Sequence, residues 1–100
     1  MLEVLNRESR SERLAKELTA GTEEVARAAG GTKSAHEETI RDLANGVDVG
    51  PARKRESAAR AVEADAVANV EALREALARV RSEEEAAARA SEVAALTAEA

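Results

Sequence analysis

Residues 51–80 read PARKRESAARAVEADAVANVEALREALARV, a stretch opened by the chain's single proline and free of glycine. Pro51 suits the first turn of a helix, where its missing N–H would have had no intrahelical acceptor. From there Ala59, Val62, Ala66, Val70, Leu73, Leu77 and Val80 recur at steps of three and four, the period of one helix face, while Arg60, Glu63, Glu71, Arg74 and Glu75 lie elsewhere on the wheel. A second line of Ala61, Ala64, Ala68, Ala72 and Ala76 widens that face and predicts neighbours on two sides. A long helix is therefore the spine of the fold.

Past Val80 the phase slips. Glu84 and Ser91 fall where apolar residues are due, and Ala86, Ala90, Val93 and Leu96 form a shifted stripe. Ser82-Glu83-Glu84-Glu85 also reads as an N-cap followed by an acidic first turn, so the helix is expected to kink or restart near Ser82.

Upstream, punctuation divides the chain into shorter helices. The first is expected from Leu2 or Asn6 to Ala20, with Leu14 and Leu18 facing inward and Gly21 as the stop; Ser9-x-x-Glu12 reads as a capping box, so the alternative is that residues 1–8 form a separate turn or extended arm. The second runs from Thr22 to Gly30-Gly31, with Glu23 and Glu24 at its positive dipole end. Thr32 caps the third, whose inner residues are His36, Ile40 and Leu43, and Asn45-Gly46 closes it. Glutamate is followed four residues later by Arg or Lys at Glu3/Arg7, Glu12/Lys16, Glu23/Arg27, Glu37/Arg41, Glu56/Arg60, Glu75/Arg79 and Glu85/Arg89, the favourable helix orientation. The sum is an all-α, compact bundle of four to five helices in a single domain over residues 1–100.

The core of such a bundle would be thin. Alanine supplies 25 residues, Leu, Val and Ile together 18, and aromatics none. Without cysteine there is no disulfide framework and no thiolate, and cellular compartment stays open. Residues 1–7 lack the basic-then-apolar order of a signal peptide, and no run is apolar enough to span a bilayer, so no membrane partner is expected. The formal charge of −5 favours solubility and disfavours polyanions.

Chemistry-bearing constellations are sparse. His36 is the only imidazole, and no second His or Cys can complete a metal site with it. It reads as a polar side chain at the core edge, bonded to a helix end or a carboxylate. Glu37-Glu38 and Glu83-Glu84-Glu85 lie where a helix dipole alone would place acids. Asn69, a heptad after Val62, either sits in a seam and fixes register or is simply exposed. No catalytic, cofactor-binding or metal-binding residue is assigned, no cofactor is expected, and the chain is not expected to be an enzyme.

Two resemblances bear on origin. Thr22-Glu23-Glu24-Val25-Ala26-Arg27-Ala28-Ala29-Gly30-Gly31-Thr32-Lys33-Ser34, with Leu43-Ala44-Asn45-Gly46 and Asp48-Val49-Gly50-Pro51-Ala52, resembles the helix-turn-helix headpiece of the lactose-repressor family. Val25, Ala26, Ala29, Gly30, Asn45 and Gly46 carry the match, and it implies that Thr32, Lys33 and Ser34 approach phosphates and base edges. Gly31 stands where that family has a buried Val, and the segment 22–56 is net −1, which argues against nucleic acid as a partner. The chain as a whole, with preferred caps at nearly every junction and no Phe, Tyr, Trp, Cys or Gln, resembles a de novo designed helical bundle. That resemblance implies a structural scaffold with no natural activity and no required partner. Twelve Arg against three Lys and irregular helix lengths suit the alternative, a small helix-turn-helix DNA-binding or helical protein-interaction domain from a GC-rich genome. A homo-oligomer through the long helix is compatible with either.

Overall fold

The computed structural model describes residues 8–99, of which 92% are helical. Two helices account for all of it. Helix α1 spans Arg10–Ala44, 35 residues, and α2 spans Gly50–Glu99, 50 residues. They pack side by side and antiparallel, with Ser11 meeting Glu84 at one end and Glu38 meeting Arg55 at the other. The hairpin is 83 Å long and its radius of gyration is 23.0 Å. A compact domain of this length would have a radius of gyration of about 13 Å. The expected bundle of four to five helices is therefore corrected to an extended two-helix hairpin.

Three expected junctions are absent because the inward-facing positions keep step through them. On α1 a line of less exposed residues, Leu14, Leu18, Gly21, Val25, Ala28, Thr32, Ala35, Thr39 and Asp42, runs at alternating steps of four and three, flanked by the partly covered Ala15, Ala29 and Glu38. That is a heptad seam, and it crosses Gly21 and Gly30-Gly31 without losing phase. Gly21 faces α2 so closely that an added Cβ would lie 3.2 Å from Val70 Cγ2, whereas Gly30 and Gly31 face open space. Here packing of a long face overrides the local preference of glycine for a helix end.

The seam of α2 is Ala52, Glu56, Ala59, Glu63, Ala66, Val70, Leu73, Leu77, Val80 and Glu84, again at threes and fours. It passes Ser82 unbroken, so the expected kink or restart there is corrected as well. Ser82 is an exposed mid-helix residue, and the shifted stripe beyond it belongs to a segment that no longer faces α1. Val62 is 55% exposed and Glu63 takes its inward position. Likewise Ile40 and Leu43 are 51% and 49% exposed, one position away from the seam residues Thr39 and Asp42. Of the second alanine line, only Ala76 is partly covered.

The ends form as the residues dictate. Ser9 caps α1 and accepts the Glu12 N–H at 3.1 Å. At the other end Gly46 takes φ +66°, Val47 N–H bonds Asp42 C=O at 2.9 Å and Gly46 N–H bonds Leu43 C=O at 3.3 Å, the paired bonds of a Schellman stop. Asp48 then accepts the Gly50 N–H at 3.2 Å and starts α2, with Pro51 in its first turn. The segment 1–7, where the first helix was expected to begin, lies outside the described residues.

Candidate functional site

Several polar side chains converge in the seam near the hairpin turn. Glu56 projects from α2 at an inward heptad position, and its side chain is only 14% exposed. A carboxylate there needs donors, and three elements of the sequence supply them. Arg60, one turn along α2, donates Nη2–H at 2.6 Å and Nε–H at 3.1 Å. From α1, His36 brings Nδ1 to 3.0 Å, and the Thr39 hydroxyl lies against the same carboxylate. The Thr39 hydroxyl is also 3.2 Å from the Ala35 carbonyl, so its single proton serves one acceptor at a time. Hydrogen bonding from Arg60 first, then Thr39 and His36, holds Glu56 down to about 2.

Beside this cluster runs a shallow groove of about 450 Å³ lined by His36, Ile40 and Leu43 of α1 and by Arg53, Ser57 and Arg60 of α2. Ser57 and His36 share its wall, yet no hydrogen bond joins them among the described residues. A base oriented by a carboxylate is thus present without a nucleophile in its reach, and nothing in the groove gathers donors toward a reacting oxygen. The arrangement satisfies a carboxylate inside the seam and ties the two helices in one register.

The remaining sequence candidates are scattered. Asn69 is exposed at the edge of the seam near Gly21. Glu38 pairs with Arg55, Glu83 with Arg10 at 3.3 Å, and Glu84 accepts from Ser11 at 3.0 Å, so the two acidic clusters are drawn into cross-helix contacts. Among the described residues no three His, Asp or Glu side chains are grouped to hold a metal ion. Of the charge pairs spaced by four, Glu56–Arg60 is in contact; Arg27 pairs instead with Glu24, and Lys16 with Glu8. Thr32, Lys33 and Ser34 lie in the unbroken α1, which carries no turn at Gly30-Gly31. No described helix is long and apolar enough to cross a membrane.

Sequence reasoning singled out His36 but missed Thr39 and the inward place of Glu56. The step from Ala52 through Glu56 to Ala59 carried that signal, because it continues the seam in phase. Comparison with protein-family profiles, with curated proteins and with solved structures returned no match.

Proposed function

We propose that this chain is a helical rod that spaces or joins other helical surfaces, and that it does so without catalysis. The observation that carries the reading is the shape: an extended antiparallel hairpin, 83 Å in its longest dimension, whose described grooves are shallow and open, with the Glu56 cluster spent on helix pairing. A small-molecule site needs a concave pocket that covers most of its ligand. A rod offers long edges instead, and association of copies through α2 belongs to the same reading.

A scaffold designed only for stability is less well supported. Gly30 and Gly31 are exposed in the middle of a helix, where alanine would be favoured by about 1 kcal/mol each, and Thr32, Thr39 and Glu56 occupy seam positions that apolar residues would fill. A helix-turn-helix role needs two helices separated by a turn before the recognition segment, and α1 runs through that point.

Small-angle scattering of dilute protein tests the shape, with a radius of gyration near 23 Å expected. A value near the compact figure of about 13 Å would remove the basis for the rod. Titration with random-sequence duplex DNA at low salt tests the rival, since phosphate-driven binding is strongest there. Tight, salt-sensitive binding that disappears on Lys33→Glu and Arg41→Glu would replace the rod reading with nucleic-acid recognition.

A further inference from the structure

Residues 32–44 are held to α2 differently from residues 14–28. The earlier stretch sets Leu14, Leu18 and Val25 against Val70, Leu73, Leu77 and Val80. The later one turns Thr32, Ala35, Thr39 and Asp42 toward Ala52, Glu56, Ala59 and Glu63, and none of these is a large apolar side chain. The two that it does carry, Ile40 and Leu43, stand about half exposed beside the seam. Its side-chain contacts with α2 are polar: His36 Nδ1 lies 3.0 Å from Glu56, the Thr39 hydroxyl lies against the same carboxylate, and Glu38 accepts Arg55 Nε–H at 3.3 Å. His36 and Arg55 are each more than half exposed, so water competes for their bonds and each adds little to the closed state.

The same stretch is bracketed by glycine. Gly30 and Gly31 precede it and Gly46 follows it, and a Cβ added at any of the three would meet no atom within 4 Å. Close packing therefore does not require Gly30 or Gly31, yet both make the interior of α1 easier to break than alanine would. Gly46 has already left the helical region, at φ +66°. Gly21 is the contrast, since its Cβ would lie 3.2 Å from Val70 Cγ2. Helix α2 has no glycine after Gly50, so of the two helices only α1 carries a weak point in its middle.

We propose that residues 32–44 form a strap that leaves α2 as one unit, hinged at Gly30-Gly31 and at the turn around Gly46, while residues 14–28 stay paired with α2. Two independent observations meet in this assignment: an interface without large apolar side chains, and glycines at both of its ends that packing does not call for. Such a segment is the least stable cooperative unit of the fold and opens before the rest. The strap is about 20 Å long at the rise of an α-helix and gives the rod a joint beside its turn. It rests on the hairpin of the rod reading. A detached helix this short is marginal in water, so its amides exchange once it leaves α2.

Native-state hydrogen exchange of the full chain, at urea concentrations below its unfolding transition, reads this opening amide by amide. Amides of residues 33–44 should share one opening equilibrium, more populated than that of residues 14–28 by about tenfold or more, with a shallower urea dependence because less surface is exposed. The sharper test is Leu77→Ala, which weakens only the earlier stretch. It should raise the opening of residues 14–28 by about tenfold or more and leave that of residues 33–44 within about twofold. Gly30→Ala/Gly31→Ala should lower the opening of residues 33–44 by about tenfold. A single opening equilibrium for both stretches, or a parallel rise in Leu77→Ala, makes the hairpin one unit and overturns the proposal. Protection that falls smoothly toward residue 44, with no step at Gly30-Gly31, overturns it as well, because the turn is then only fraying. Unchanged opening in the double alanine variant removes the hinge and the proposal with it. Any of these with scattering still near 23 Å leaves the rod intact and removes only the strap, whereas compact scattering removes both.

Discussion

The seam is one heptad pattern filled in two ways. In the middle of the hairpin it holds Leu14 and Leu18 against Leu73, Leu77 and Val80, and burial of branched side chains joins the helices. Toward the turn it holds Ala28, Thr32, Ala35 and Thr39 opposite Ala52, Glu56, Ala59 and Glu63. Little apolar area can be buried there, so close approach of small residues and the carboxylate cluster take over. Thr32 and Thr39 are buried but place their hydroxyls 3.2 Å from the carbonyls of Ala28 and Ala35, so their polarity is answered within α1. The same spacing thus builds a greasy zone that supplies stability and a small-residue zone that supplies register.

The largest expected difference between the zones comes from truncating a side chain in each. Leu77 is 5% exposed, and Leu77→Ala should cost about 2–3 kcal/mol, read from urea unfolding followed by circular dichroism. Ala28→Gly in the turn-proximal zone should cost only about 1 kcal/mol, mainly through helix propensity. Equal losses would show that the two zones are held by the same forces.

Glycine sharpens the contrast. Gly30→Ala and Gly31→Ala each place a methyl group in open space and should stabilise by about 1 kcal/mol. Gly21→Ala brings its Cβ 3.2 Å from Val70 Cγ2 and 3.4 Å from Leu73 Cδ1, so its propensity gain should be offset by crowding. Three equal gains in melting temperature would mean that the helices do not approach closely at Gly21.

These glycines also explain what was and was not legible in the sequence. The face of α2 was readable because Val70, Leu73, Leu77 and Val80 are large and apolar, and the cap at Ser9 and the stop at Asn45-Gly46 were readable because local chemistry fixes both. The continuity of α1 was not, since its seam is written in Gly21, Ala28, Thr32, Ala35 and Thr39. Hydrophobicity alone ranks Ile40 and Leu43 above them and so selects a face one residue out of phase. The steps of four and three across Gly30-Gly31 held the correct answer, but only a partner helix gives small residues that meaning. His36 was legible as a polar residue bonded to a helix end or a carboxylate; that the partner is a carboxylate, and which one, depended on the antiparallel pairing with α2.

Acid should act on the turn-proximal zone first. Glu56 is held at about 2 in the folded hairpin against 4.5 for the free side chain. Its folded value is depressed, so its contribution is present above about pH 4.5 and is lost as pH falls toward 2. Melting temperature should therefore decline across that window, and Glu56→Gln should show a shallower decline. An identical decline in both proteins would remove the cluster as the acid-sensitive element.

The smallest effect is expected at an exposed position where the pairing of the helices ends. Ser82 lies exposed within a continuous α2, in the last turn that meets α1. If the helix restarted there, Ser82 would cap it, and Ser82→Ala would cost about 1 kcal/mol. In an unbroken helix the serine caps nothing, and alanine relieves its competition for backbone hydrogen bonds, a gain of a few tenths of a kcal/mol. The sign of the change therefore reports on continuity, and it does so independently of packing, because the side chain is exposed. Urea unfolding of the variant should give an unchanged or slightly higher midpoint with the same slope. A lower midpoint would place a helix end at Ser82 and divide α2 into two helices.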